Sequence, residues 1–185
     1  MAPATTLPVH RLDVGTYNRM VATGALDGQP VELLDGILVE VSPTSPTHAA
    51  AVDRLTRHLS VARRWWLRVR SPLEVPSESV PEPDLALLAG EPSPHRHPTT
   101  ALLAIEVSVS SHMIDRNVKA PLYARAGVPA YWIVDVPGRA VEAHSEPSPD
   151  GYRKCHTYPE GETVPAPLEG IDDLDVRALF AGIDG

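Results

Sequence analysis

Three short and almost uninterrupted apolar runs constrain this chain more than anything else in it. They occupy residues 84–88, 102–108 and 130–134. Each is too short for an ordinary helix and is bounded by breakers: Pro83 before the first, the Pro-, His- and Ser-containing segment 91–100 before the second, and Asp135 with Pro137-Gly138 after the third. A strand with one wet face alternates apolar and polar residues, whereas a near-continuous apolar run is buried on both faces. Strands covered on both sides need helices above and below them. The expected fold class is therefore α/β, one layered domain around a mixed sheet.

The rest of the chain supplies the covering elements. A helix fits 14–22 and ends near Gly24. Two apolar runs, 31–34 and 37–41, flank Asp35-Gly36, a β-hairpin signal because both central turn residues take positive φ. After a turn-rich stretch over 42–46, Pro46 or Thr47 starts a helix. In it Ala51, Leu55, His58, Leu59 and Ala62 recur at the helical period. Residues 65–69 read as a strand, and 73–75 continue that sheet after Pro72. A helix over 115–126 puts Val118, Leu122, Tyr123 and Ala126 on one face, and Gly127 stops it. Residues 139–144 and 152–158 pair antiparallel around Pro149-Asp150-Gly151, and a helix near 174–181 closes the chain. Residues 1–11 read as a flexible arm and 12–185 as one domain.

Composition narrows the function classes. With 43% hydrophobic and 22% charged residues, the chain is neither disordered nor fibrous. It lacks the ~18-residue apolar run of a transmembrane helix. Residues 1–10 lack the basic flank and apolar stretch of a signal peptide, so a cytoplasmic location without a membrane partner is expected. A single cysteine, Cys155, excludes an intramolecular disulfide and a cysteine-rich zinc site. The net charge of −8 argues against a non-specific DNA coat. It leaves room for a nuclease with one local basic face, because six arginines fall within 54–70. These arginines, with Trp65 and Trp66 beside them, could track a nucleic-acid backbone; His48, Arg54 and Arg57 are the candidates. The plainer reading is a solvated helix face.

Two acids stand where acids are costly. Asp84 opens the first apolar run, and Glu106 lies inside Leu103-Ala104-Ile105-Glu106-Val107. A buried carboxylate needs a partner or a metal. Two carboxylates converging from neighbouring strand ends suit Mg²⁺, which takes few protein oxygens and keeps several waters. Lys119 lies on the helix after the Glu106 strand. In the plain reading it pairs with Asp115 on the surface, an i, i+4 contact. In the chemical reading it reaches the sheet end, where an ammonium could orient or deprotonate the attacking water and neutralise a scissile phosphate. Glu32, on the hairpin, is a further acidic candidate, and Tyr123 reads as core packing.

Pro83-Asp84 followed by Glu106-Val107-Ser108 resembles the PD-(D/E)XK motif of restriction-endonuclease-like proteins. The wider pattern is more specific. It consists of Glu32-Leu33-Leu34-Asp35-Gly36, Ser42-Pro43 with His48, Ile105-Glu106-Val107-Ser108, Asp115 with Lys119 and Tyr123, and the run Gly127-Val128-Pro129-Ala130-Tyr131-Trp132-Ile133-Val134-Asp135. Together these resemble the Uma-two family, from about residue 12 to 181. The resemblance implies a restriction-endonuclease-like mixed β-sheet core of five strands flanked by helices, with an N-terminal β-hairpin and C-terminal strands. It implies an endonuclease that hydrolyses phosphodiester bonds in DNA with Mg²⁺ or Mn²⁺, leaving a 5′-phosphate and a 3′-hydroxyl. Asp84, Glu106 and the main-chain carbonyl of Val107 would hold the metal, with Glu32 assisting. The lysine slot two residues after Glu106 is occupied by Ser108, and Lys119 would replace it in space. Dimerisation is common among such nucleases, and a homodimer would cut two strands, though no residue here marks a dimer surface.

The rival class is a non-catalytic scaffold or interaction protein that keeps the fold. It expects Lys119 to pair with Asp115 and point away from Asp84. The remaining histidines, His95, His97, His112 and His144, show no metal-ligand spacing, and Cys155 has no catalytic partner nearby in sequence.

Overall fold

The computed structural model describes residues 9–183 apart from 42 and 62. The arm expected over 1–11 falls mostly outside these residues, as do Ser42 and Ala62.

Helix α1 (Val14–Ala22) starts where the Asp13 side chain accepts from the Thr16 N–H, an N-cap that satisfies one of the helix's unpaired donors. Strands β1 (Val31–Leu34) and β2 (Ile37–Glu40) form the expected hairpin, with Asp35 at φ 47° and Gly36 at φ 73°. Helix α2 (Pro46–Leu59) begins with Pro46 in its first turn and Ser45 as its cap, and buries Ala51, Val52, Leu55 and Leu59.

Strands β3 (Trp66–Val69), β4 (Leu85–Leu88), β5 (Leu103–Ser108), β6 (Ala130–Asp135), β7 (Ala140–Ser148) and β8 (Gly151–Pro159) form one sheet in that spatial order. That is six strands, one more than the resemblance implies. All neighbours are antiparallel except β5 and β6. A parallel pair needs a crossover, and residues 112–125 make it.

The side-chain period of two sorts the strands cleanly. Leu85, Leu87, Leu103, Ile105, Val107, Trp132 and Val134 face α2 and the C-terminal elements. Ala86, Leu88, Ala104, Tyr131 and Ile133 face the crossover. Glu106 and Ser108 share the parity of Ala104, so both point to the crossover side.

Three expectations change. Residues 73–75 do not extend the sheet. Pro72 and Pro76 bracket them, and Val75 forms an isolated bridge with Ser79 instead. Residues 78–80, which Val75 meets, dock the hairpin: Val80 N donates to Leu33 O at 2.7 Å, and Gly36 N to Glu78 O at 2.8 Å. The crossover helix is composite, with α3 (His112–Ile114), a π-helical stretch (Asp115–Lys119) and α4 (Ala120–Arg125). Pro121 cannot donate to the carbonyl four residues back, and the wider turn sits directly before it. At the C-terminal end, β9 (Thr163–Val164) pairs with β10 (Leu174–Asp175), which leaves a shorter helix, α5 (Val176–Phe180), against α2. Among the described residues no helix is long and apolar enough to cross a membrane.

Candidate active site

The register of β4 and β5 pairs Leu85 with Ile105, and continuing it by one residue sets Asp84 opposite Glu106. The two acids thus share the crossover side of the sheet at neighbouring strand ends. They line a cleft of about 720 Å³, together with Glu32 and Leu34 from the hairpin and Asp115 and Lys119 from the π-helical stretch. Val107 also borders it.

Lys119 is the centre of the cleft. Its Nζ lies 3.1 Å from Glu106 Oε1 and 3.0 Å from Glu32 Oε2, and only 6% of the residue is exposed. Its ion-pair partners are therefore Glu32 and Glu106, contrary to the surface pair with Asp115 that the i, i+4 spacing suggests. Asp115 is itself buried and accepts from Ser111 Oγ at 2.6 Å. The Tyr123 hydroxyl, expected only to pack, donates to Glu106 Oε1 at 2.8 Å.

Burial sets the electrostatics. It pushes the carboxyls of Glu32, Glu106 and Asp115 above their ordinary values, with Lys119 opposing the rise in each. Burial pulls Lys119 down, but Glu106, Glu32 and Asp115 outweigh it and hold the ammonium above its usual value. Lys119 is thus a fixed cation. Three buried acids outnumber the one ammonium in the cleft, and a further cation bound there would favour their ionised forms.

Asp84 is oriented from two sides. Val107 N donates to its Oδ2 at 2.8 Å, and His48 Nε2 lies 3.1 Å from the same oxygen. Arg70 Nη2 meets His48 Nδ1 at 3.1 Å. A guanidinium can only donate, so Nδ1 accepts and the Nε2 hydrogen points at Asp84. Arg70 Nε lies 3.7 Å from Asp84 Oδ1. Arg70 has φ 44°, a conformation uncommon outside glycine that clusters at functional sites. No motif singles out Arg70, and Asp115, quoted in the family pattern only as the neighbour of Lys119, earns a place in the site from lining the cleft. Arg54 points elsewhere, donating to the Leu179 carbonyl at 2.6 Å, and Arg57 is exposed. Neither borders the cleft, whereas His48 does.

The resemblance implies a divalent cation here, and the donors fit one. Asp84, Glu106, Glu32 and the Val107 carbonyl are all hard oxygens, and Mg²⁺ asks for only one or two carboxylates.

The Uma2 family, described as "Putative restriction endonuclease", matches residues 14–177. The chain belongs to the Uma2 family. The match spans α1 to the start of α5 and so includes every cleft residue named above. No curated protein matches the chain. A crystal structure described as "a putative nuclease belonging to DUF820 from Anabaena variabilis ATCC 29413" is similar at a TM-score of 0.65. The likeness covers 82% of this chain and 89% of that one, at 12% identity. At that identity it speaks for the Uma2 chain's fold alone.

Proposed function

We propose that this Uma2 protein is a divalent-metal-dependent endonuclease acting on DNA, with its site in the cleft between the hairpin, the β4–β5 strand ends and the π-helical stretch. The observation that carries the reading is Lys119. The slot after Glu106 holds Ser108, and the next helix delivers a buried ammonium to Glu106 at 3.1 Å. A non-catalytic scaffold expects that lysine on the surface beside Asp115.

Mg²⁺ or Mn²⁺ bound by Asp84, Glu106 and the Val107 carbonyl would supply Lewis-acid activation and charge neutralisation for phosphodiester hydrolysis. The chain's own residues do the rest. Val107 N–H and His48 fix the Asp84 carboxylate. Lys119 and Tyr123 fix Glu106 from the other side. Glu32 anchors Lys119 from the hairpin and adds a further acidic oxygen. Lys119, held as a cation, orients the attacking water and balances charge on the scissile phosphate rather than taking a proton. Arg70 and His48 line the cleft and would contact a flanking phosphate, whereas Arg57, exposed, and Arg54, bonded to the Leu179 carbonyl, lie outside the cleft.

The test is cleavage of plasmid and single-stranded DNA and of RNA, with Mg²⁺ and with Mn²⁺, by the wild type, Glu106→Gln and Lys119→Ala. Each protein is checked for folding by circular dichroism. The expected result is metal-dependent nicking of DNA that falls at least a hundredfold in both variants. Cleavage that survives Glu106→Gln would place the chemistry elsewhere. Folded wild type that cuts no substrate and binds neither metal would favour the scaffold.

A further inference from the structure

A second cluster of ligand-type side chains lies on the same sheet face, outside the cleft. The β7–β8 register sets His144 directly opposite Cys155. Glu142, two residues before His144, shares its side of the sheet. His144 Nε2 lies 3.5 Å from Glu142 Oε2 and 3.6 Å from Cys155 Sγ. The three ligand atoms all fall within 4.8 Å of one another. Glu142 and His144 are more than nine-tenths buried, whereas Cys155 is exposed. From the crossover, His112 Nε2 approaches the other Glu142 oxygen at 3.0 Å. Glu142 Oε2 is buried yet has no hydrogen-bond partner of good geometry among the described residues. Arg116 Nε stands 3.4 Å from it, on a side chain that is 48% exposed.

The His144–Glu142 and His144–Cys155 separations match those between the corners of a coordination tetrahedron. Zinc bonds of about 2.0–2.1 Å to N or O and about 2.3 Å to S put neighbouring ligand atoms roughly 3.4 Å (N to O) and roughly 3.6 Å (N to S) apart. An imidazole, a thiolate and a carboxylate form a borderline-soft set, which selects Zn²⁺ and its neighbours rather than Mg²⁺. The charges also close: one carboxylate and one thiolate neutralise a divalent ion, with the Cys155 proton released on binding.

We propose that Glu142, His144 and Cys155 form a second metal site for Zn²⁺ or a similar transition-metal ion, with His112 holding Glu142 through its other oxygen. The site is structural. In the sheet, Ile133 pairs with both Glu106 and Glu142, so the Glu142 backbone lies two strand spacings, about 10 Å, from that of Glu106. His112 opens α3, the short helix directly before the π-helical stretch that carries Asp115 and Lys119. A metal there pins the start of that stretch to β7 and β8 and so steadies Lys119. The half-exposed Arg116 turns out to solvent when the ion binds.

Cobalt(II) tests this directly, because a thiolate ligand gives it a charge-transfer band. The chain has one cysteine, so the band reports on Cys155 alone. Titration of the full chain with Co²⁺ should give a tetrahedral spectrum with that band at one equivalent. Glu106→Gln should keep it, and Cys155→Ser and His144→Ala should lose it. One equivalent of Zn²⁺ should abolish the band and slow alkylation of Cys155 at least tenfold. Cys155 is exposed, so its serine variant is expected to fold. A wild type with no charge-transfer band, a band that persists in His144→Ala, or an alkylation rate that Zn²⁺ leaves unchanged would each overturn the proposal.

Discussion

Tyr123 shows how far a single residue can depart from its plainest reading. Helical periodicity places it on the apolar face, and the structure buries it completely beside Tyr131. Its hydroxyl nevertheless ends on Glu106 Oε1, the oxygen that also meets Lys119. That carboxylate is pushed up by burial, and each hydrogen bond it accepts offsets part of the cost of its charge. Tyr123→Phe keeps the ring and removes one donor. It should lower stability by about 1–2 kcal/mol, measured by urea denaturation, and slow cleavage less than Lys119→Ala does. A variant as stable as the wild type would mean that the hydroxyl contributes nothing to holding Glu106. Periodicity records that a position faces inward; it is silent on where the polar tip of an inward side chain lands.

The hairpin was the most legible element and the crossover the least. Asp35-Gly36 sits between two apolar runs, and the hairpin's register follows from the turn itself. Its site role depends on docking, since Glu32 reaches Lys119 only because the strand is tied to the 78–80 segment. Gly36 also lies close against Arg11 and Leu12. It has φ +73°, and a Cβ there would lie 2.7 Å from Arg11 Cβ and 2.9 Å from the Leu12 carbonyl. Gly36→Ala should cost about 1–3 kcal/mol from backbone strain and should reduce cleavage by displacing Glu32. Thermal unfolding and the nicking assay check the two effects, and an unchanged melting temperature would contradict the close approach. In the crossover, apolar spacing correctly suggests helix over 115–126. It does not reveal the π-helical turn, because that turn answers to Pro121 and to the buried partners of Lys119 and Asp115.

At the scale of the whole molecule, one sheet separates two apolar layers that must form together. Leu103 and Trp132 lie on the α2 side, and Tyr123, Tyr131 and Ile133 on the crossover side. Strands shared by both layers couple them, so unfolding should be a single transition. Tryptophan fluorescence and far-ultraviolet circular dichroism should give coincident urea curves. Leu103→Ala, at a fully buried centre-strand position, should shift both by about 2–5 kcal/mol. Curves that separate would show that one layer survives without the other.

The residues by themselves determined the α/β class, the hairpin, the buried strands and the acids Asp84 and Glu106. All of these follow from local chemistry: a side-chain period, a turn needing positive φ, a charge within an apolar run. Partner choice was decided only in three dimensions. Lys119 meets Glu32 across 87 residues of sequence instead of Asp115 four residues away. Arg70 joins His48 and Asp84, while Arg54 turns to Leu179. Cys155, isolated in sequence, faces His144 because β7 and β8 pair in one register. A buried charge takes the partner that packing brings within hydrogen-bonding reach, and that reach is set by how the hairpin, sheet and crossover close on one another rather than by spacing along the chain.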